Sequence, residues 1–217
     1  MPLPAVHRVV AVGIAGPSGA GKTTLARRIQ AALPRYAPVL MAQDSYYTGL
    51  PRGCPPEQYN FDAPSAVDLE RMACDLMLLK AGEPARIPVY DFARHAREGR
   101  TAEVPPAPLV IAEGLHLFLQ PALRALLDVK VYLLAGLDDC LRRRLERDTR
   151  ERGRSAADVI RQFHDQVEPM RRLHVHPTRR FADHLLSLPA PGTARYAAVL
   201  ARLCRDIEAR LASEVVP

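Results

Sequence analysis

The sequence predicts an α/β fold in which a mostly parallel β-sheet is covered by helices. Two observations lead to this prediction: short apolar runs alternate with longer helical stretches, and a glycine-rich turn joins the first apolar run to the first helix. The chain has 217 residues, 48% of them hydrophobic, which is enough for one well-buried domain and argues against disorder. We therefore expect a single domain over residues 1–217, with a small β-hairpin at about 86–105 and an arginine-rich lid at about 148–157.

The predicted elements follow one another along the chain. Apolar runs predict strands at Val9–Ala15, Val39–Gln43, Leu109–Ala112, Val129–Leu134 and His184–Ser187. Helical stretches predict helices at Lys22–Leu33, Ser65–Ala81, Pro121–Leu127, Asp138–Asp148, Ala156–Met170 and Thr193–Ala212. Ser65, with Asp68 three residues later, is typical of a capping signal and predicts where the second helix begins. Two short β-prone pieces, Ile87–Phe92 and Thr101–Val104, predict the hairpin.

The glycine-rich turn at Gly16–Thr23 has the pattern G-x-x-x-x-G-K-[ST] of a phosphate-binding loop (P-loop). Glycines let backbone N–H groups surround the phosphates of a nucleoside triphosphate, the lysine reaches the β- and γ-phosphates, and the threonine hydroxyl ligates Mg²⁺. The following helix directs its N-terminal dipole at the same phosphates. A chance lysine beside a flexible turn is the alternative, and the strand before and helix after argue against it. The predicted phosphate-binding residues are Gly16, Ser18, Gly19, Ala20, Gly21, Lys22, Thr23 and Thr24.

Two acidic residues come directly after predicted buried strands. Asp44 follows Val39–Gln43, and Glu113 follows Leu109–Ala112. Ligands of an open α/β sheet gather at the carboxyl ends of its strands, so Asp44 could accept a proton from an attacking hydroxyl or bind Mg²⁺. A loop aspartate that caps a turn is about equally well supported. Glu113 is predicted as an acid on the Mg²⁺ side, and the alternative is a solvated strand-end glutamate.

Seven arginines crowd the segment 142–154. They predict a helix leading into a mobile lid whose guanidinium groups hold transferring phosphates. A solvated helix face, with arginines paired to interleaved acids, is one alternative, and a nucleic-acid patch is another. The interleaved acids make nucleic acid an unfavoured partner. Arg152 and Arg154 are the better lid candidates because they flank Gly153, a possible hinge.

The composition indicates the cellular compartment of the protein. The net charge is +6, and four scattered cysteines form neither a C-x-x-C pair nor a zinc spacing, which favours free thiols in a reducing compartment. The first apolar run is too short to span a membrane. We therefore expect a cytoplasmic protein without a membrane partner.

Further motifs resemble those of uridine–cytidine kinases, which belong with the phosphoribulokinases to one superfamily of P-loop kinases. In the same order as in that family, the chain has Asp44–Tyr47, Tyr59–Pro64, Ile87–Phe92, His95 with Arg97, Glu113-Gly114, Glu151–Arg154, Gln162 and Pro177–Asp183. The resemblance covers about residues 9–183. It implies a P-loop kinase fold, ATP and Mg²⁺ as cofactors, phosphorylation of a nucleoside 5′-hydroxyl, and a homo-oligomer (tetramer or dimer).

The resemblance also implies roles for individual residues. Asp44 would be the base, acting with Lys22, Arg152 and Arg154, while Thr23, Glu113 and Asp44 would hold Mg²⁺. Asp62 would bind ribose hydroxyls, with Tyr47, Arg144 and Gln162 also at the nucleoside, Tyr90 and His95 facing the pyrimidine, and Arg147 near the phosphates. From the residues alone, Tyr90 fits an edge-strand aromatic that covers the core. Pro17 and His116 depart from the family, which commonly has a small residue and a small or apolar residue there.

Two other functions remain open from the sequence. One is a P-loop kinase of another small alcohol, such as a sugar phosphate or a vitamin precursor. The other is a non-catalytic nucleotide sensor or nucleic-acid binder that uses the arginine-rich segment. The pair of Tyr90 and His95 favours a base-bearing nucleoside as the small-molecule partner.

Overall fold

The main sheet has five parallel strands with helices on both faces. The computed structural model describes residues 9–212, apart from the side chains of residues 151 and 152. The strands are β1 Val10–Ala15, β2 Val39–Ala42, β3 Ala85–Asp91, β4 Ala96–Val104, β5 Leu109–Gly114, β6 Val129–Leu134 and β7 His184–Ser187. The helices are α1 Lys22–Ala32, α2 Leu69–Lys80, α3 Pro121–Ala125, α4 Leu137–Arg152, α5 Ala156–Gln162, α6 Glu168–Met170 and α7 Ala194–Ala212. The strand order is β2-β5-β1-β6-β7, and the predicted α/β class is confirmed.

Burial on both faces explains why the sheet is parallel. Every residue of β1 is buried, and β5 is buried except at Glu113. Continuous apolar strands of this kind occur where helices cover both sides of a sheet. One face packs against α1 and α7 through residues such as Leu25, Ile29 and Ile207. The other packs against α2 and α3, so the core forms two layers separated by the sheet.

The register of the strands decides where a site can form. Ala15 at the end of β1 is aligned with Gly114 at the end of β5, and Ala42 at the end of β2 is aligned with Glu113. Because parallel strands end at the same edge, the phosphate-binding loop, Asp44 and Glu113 emerge side by side.

The predicted hairpin is confirmed as a two-stranded antiparallel sheet of β3 and β4, apart from the main sheet. β4 begins at Ala96, which is earlier than the sequence predicts. The hairpin is fastened by Arg97, which donates hydrogen bonds to the carbonyl oxygens of Tyr47 (2.8 Å) and Tyr46 (3.0 Å) and pairs with Asp68 (3.2 Å). The hairpin tip therefore lies beside the segment that follows Asp44.

The predicted start of the second helix at Ser65 is wrong. The helix begins at Leu69, and the Asp68 carboxylate caps it by accepting a hydrogen bond from the Arg71 N–H at 3.0 Å. Ser65 lies instead in a 3₁₀ turn. The chain cannot enter the helix earlier because Val67 forms a β-bridge with Tyr47, which local sequence does not indicate.

Several predicted boundaries also differ in the structure, and the last two residues of β5 are added by pairing with β1. β5 includes Glu113 and Gly114, and α4 continues from Leu137 to Arg152. The helix predicted at Ala156–Met170 is interrupted: α5 ends at Gln162, and a π-helical turn follows at Phe163–Val167. Such turns often occur at functional sites.

Across residues 9–212, each helix lacks either the length or the apolar character needed to cross a bilayer.

Replacing Asp68 by alanine should lower the free energy of unfolding by about 1–2 kcal/mol, because the first turn of α2 loses its cap. The matched control is Ser65→Ala, which removes an exposed hydroxyl from the 3₁₀ turn and should change stability by less than about 0.5 kcal/mol. Urea unfolding followed by circular dichroism measures both values. An equal loss in the two variants would contradict the position of the cap.

Candidate active site

A cavity of about 1270 Å³ opens at the edge of the sheet where β1, β2 and β5 end. Pockets for one small ligand usually measure about 300–1,000 Å³, so this cavity has room for two substrates. Its wall includes most of the predicted site residues: Ser18, Gly19, Gly21, Lys22, Thr23, Thr24, Asp44, Tyr47, Asp62, Tyr90, His95, Glu113, Arg144, Arg147, Arg154 and Gln162.

Two predicted site residues lie elsewhere. Gly16 is buried at the base of the phosphate-binding loop, and Ala20 packs its side chain into the core beneath α1. Neither contributes to the cavity wall. The side chain of Arg152 lies outside the described part of the structure, so its predicted role stays a prediction.

Close packing explains the two glycines that shape the loop. Gly16 has φ +146°, and a Cβ there would lie 2.8 Å from the Leu133 carbonyl oxygen. Gly19 has φ +79°, and a Cβ there would lie 2.7 Å from the Cys140 carbonyl oxygen. Both backbone conformations and both approaches require glycine. The loop is thereby seated against the end of β6 and the first turn of α4.

Pro17 has a definite place in this loop. Its carbonyl oxygen accepts hydrogen bonds from the Lys22 ammonium (3.0 Å) and from the Ala20 N–H (3.1 Å). The carbonyl thus holds the lysine at the mouth of the loop. Burial lowers the pKa of Lys22, and the nearby carboxylates of Glu113 and Asp44 oppose this shift by favouring the ammonium form.

Thr23 and Glu113 form the oxygen-rich side of the cavity. The Thr23 hydroxyl donates a hydrogen bond to Glu113 Oε1 at 2.8 Å. Burial raises the pKa of Glu113, and the Lys22 ammonium acts in the opposite direction. Asp44 lies in a 3₁₀ turn directly after β2 and is exposed to the cavity. Hydroxyl and carboxylate oxygens are the ligands that Mg²⁺ prefers, so these three residues fit a magnesium ion.

A buried polar network occupies the floor of the cavity. The Arg144 guanidinium lies 3.4 Å from the Asp62 carboxylate and donates to Ser18 Oγ at 3.1 Å and to Gln162 Oε1 at 3.0 Å. Arg144 and Asp62 are each 6% exposed. One guanidinium therefore contacts the phosphate-binding loop and the predicted acceptor residues together.

The arginine-rich segment is organised around Asp148. This carboxylate is fully buried and pairs with Arg147 (2.8 Å), Arg144 (3.6 Å) and Arg154 (3.7 Å). α4 ends at Gly153 in the left-handed conformation, so the chain turns and Arg154 can donate to Gln162 Oε1 at 2.7 Å. A solvated helix face with interleaved acids was one alternative for this segment, and Asp148 does not fit it. Its burial is a tertiary effect that alternating charges do not reveal.

Aromatic rings enclose the other end of the cavity. Tyr47 lies 5.3 Å from Tyr90 and 5.8 Å from Phe61, and Phe61 lies 5.0 Å from His95, measured between ring centroids. Burial raises the pKa of Tyr90 to about 12, so the phenol stays protonated. The Tyr90 hydroxyl is buried without a hydrogen-bond partner among the described residues.

The sequence-based site omitted Phe61 and Phe92. Both line the cavity, and Phe92 contacts Tyr90 at 5.1 Å. Their signal in the sequence was that Phe61 lies in the motif Tyr59–Pro64 and Phe92 in the motif Ile87–Phe92. His95 adopts φ +52°, which is uncommon for a residue with a side chain. Strained conformations of this kind often occur at functional sites, and His95 lies at the hairpin turn that borders the cavity.

The arrangement can bring two substrates together. One end offers loop N–H groups, an ammonium group and oxygen ligands suited to a metal-bound triphosphate. The other offers a buried carboxylate and flat aromatic rings suited to a polar molecule with a planar group. Asp44 lies on the wall of the same cavity and interacts electrostatically with Lys22 at one end and Tyr90 at the other.

The sequence of this chain is similar to those of known proteins over most of its length. The family model for phosphoribulokinase / uridine kinase matches residues 11–189. A uridine kinase from Lactobacillus helveticus is 40% identical over 184 residues, covering 82% of this chain and 86% of that protein. A uridine kinase from Staphylococcus carnosus is 38% identical over 188 residues, covering 86% of this chain and 89% of that protein.

Solved structures share the fold. A putative fructose transport system kinase from Silicibacter sp. TM1040 has a TM-score of 0.65 at 24% identity, covering 85% of this chain and 92% of its own. Phosphoribulokinase from Rhodobacter spheroides has a TM-score of 0.60 at 12% identity, covering 88% of this chain and 74% of its own. At these identities the likeness shows the fold alone. The family model that matches residues 11–189, together with the relatives at 38–40% identity, shows that this chain belongs to the phosphoribulokinase / uridine kinase family.

Proposed function

We propose that this protein transfers the γ-phosphate of ATP to the 5′-hydroxyl of uridine or cytidine. The observation that carries the proposal is a single cavity lined both by the phosphate-binding loop and by Asp62 with its aromatic neighbours. Relatives named uridine kinase, 35–40% identical over most of the chain, support the same activity.

Asp44 is the proposed base. It lies on the cavity wall beside the residues that hold the phosphates, so its carboxylate can accept the proton of the 5′-hydroxyl as that oxygen attacks the γ-phosphate in line. Lys22 stabilises the charge on the transferring phosphoryl group, and Arg154 and Arg152 close over it from the lid. Arg147 holds the ATP phosphates on the same side.

The magnesium ion would be held by Thr23, Glu113 and Asp44. When bound, it neutralises charge on the β- and γ-phosphates. The chain's own contribution is to keep the ligand oxygens close to one another, and the hydrogen bond between Thr23 and Glu113 does so for two of these residues.

The acceptor end suits a nucleoside. The Asp62 carboxylate can accept hydrogen bonds from the two vicinal hydroxyls of ribose, while Arg144 and Gln162 keep it in place. Tyr90 and His95, with Tyr47, offer rings for stacking and a polar edge for the pyrimidine. A kinase of a sugar phosphate would not need this aromatic enclosure, so that alternative is not favoured. The homo-oligomer and the cytoplasmic location expected from the sequence stay predictions.

A panel of acceptors tests the proposal directly. Uridine and cytidine should be phosphorylated by Mg²⁺-ATP with kcat/KM at least about 100-fold above sugar phosphates or pyridine alcohols, because only the nucleosides offer both a vicinal diol and a flat base. Coupled measurement of ADP release gives the rates. A sugar phosphate as the best acceptor would overturn the assignment.

Replacing Asp44 by asparagine should lower kcat by about 10²–10⁴-fold with little change in ATP binding, because the amide cannot accept the proton. The matched control is Asp139→Asn, an exposed aspartate outside the cavity that pairs with Arg142. Steady-state rates and ATP titration calorimetry separate chemistry from binding. Near-normal turnover of Asp44→Asn would remove the base assignment.

Replacing Asp62 by asparagine should raise KM for uridine about 10- to 100-fold while KM for ATP stays within about twofold, because a hydrogen bond to a carboxylate contributes about 1.5–3 kcal/mol. The preference for uridine over 2′-deoxyuridine should shrink in the same variant. An equal rise of both KM values would show that Asp62 acts on the whole cavity and not on the ribose.

A further inference from the structure

His116 joins the two segments that carry the proposed base and the proposed ribose-binding residue. It follows the end of β5 and is fully buried. Its backbone N–H donates to Gln43 Oε1 at 2.7 Å, and Gln43 immediately precedes Asp44. Its ring Nε2 lies 3.0 Å from the backbone carbonyl oxygen of Asp62.

The partners of the ring define its protonation. The Asp62 carbonyl can only accept, so Nε2 carries the proton, and Nδ1 of the neutral ring is then a bare acceptor. Nδ1 is buried without a hydrogen-bond partner among the described residues. Burial, only partly opposed by the hydrogen bond to Asp62, lowers the pKa of His116 to about 4, which keeps the ring neutral. A second ring proton would be buried without an acceptor.

The hydrogen bond between His116 Nε2 and the Asp62 carbonyl oxygen helps to hold the Asp62 backbone in place. The Asp62 N–H is already held by Asn60 Oδ1 at 3.1 Å, and the Asp62 carboxylate faces Arg144. With its carbonyl held by His116 as well, the Asp62 backbone cannot reorient, and so redirect the side chain, without breaking a buried hydrogen bond. The backbone of His116 is held in turn by Gln43, which is 1% exposed and accepts the hydrogen bond from the His116 N–H.

We propose that His116 is a positioning residue for the nucleoside: its neutral ring donates a hydrogen bond to the Asp62 carbonyl and so aims the Asp62 carboxylate at the ribose hydroxyls. The proposal rests on the proposed nucleoside kinase activity. It differs from a role in filling space alone, in which a leucine of similar volume would serve equally well.

Two substitutions separate these roles. His116→Leu keeps the volume and removes the donor, whereas His116→Gln keeps an N–H donor close to the position of Nε2. Uridine and ATP affinities are measured by calorimetry, and KM is measured for uridine and 2′-deoxyuridine. His116→Leu should weaken uridine binding about threefold to tenfold with ATP binding unchanged, and should lower the preference for uridine over 2′-deoxyuridine. His116→Gln should restore both to within about twofold of the wild type.

The outcomes are distinct. Wild-type affinity and preference in His116→Leu, or equal defects in the leucine and glutamine variants, would overturn the positioning role. If His116→Leu does not fold, His116→Asn, whose amide is too short to reach the Asp62 carbonyl, gives the same readouts. A wild-type enzyme that accepts neither uridine nor cytidine would overturn the proposed activity and, with it, the role of His116. If the wild type is active and the variants keep its preference for uridine over 2′-deoxyuridine, only the role of His116 is overturned.

Discussion

The buried guanidinium of Arg144 is the interaction on which the rest of the site depends. Removing a charge from water is costly unless it is paired and hydrogen-bonded, and Arg144 meets that condition through Asp62, Gln162 and Ser18. These partners come from the acceptor segment, from α5 and from the phosphate-binding loop. The donor and acceptor ends of the cavity are therefore held in one geometry by a single side chain that cannot move without losing its partners.

The same principle organises the arginine-rich segment. Asp148 is buried beneath Arg144, Arg147 and Arg154, so these three arginines are gathered around a carboxylate instead of repelling one another. Gly153 then turns the chain into α5. The π-helical turn after Gln162 changes the helical phase, and Gln166 lines the cavity together with Gln162. Buried charge pairing and one left-handed glycine thus shape the arginine-rich segment.

The contacts of Pro17 and His116, the two residues that depart from the family, show what each contributes. Pro17 contributes its carbonyl oxygen, which holds Lys22, and a proline lacks only the N–H that this hydrogen bond does not use. His116 connects Gln43, beside the proposed base, with Asp62 at the proposed ribose site. Both residues therefore contact groups that take part in the proposed mechanism.

The fold class, the phosphate-binding loop and the hairpin could be predicted from the sequence, because strand and helix periodicity and the P-loop spacing are local properties of the chain. The predicted residues at the other end of the cavity, such as Asp62, Tyr90 and His95, followed from the resemblance of the motifs to a known family. The cap at Asp68, the break after Gln162, the burial of Asp148 and the contacts of Phe61 and His116 could be seen only in the folded structure. The late start of the second helix goes with the bridge between Val67 and Tyr47, and the contacts of Phe61 and His116 join segments far apart in the sequence. The partners of Asp148 lie nearby in the sequence, but its burial depends on how the folded chain excludes water, which alternating charges do not reveal.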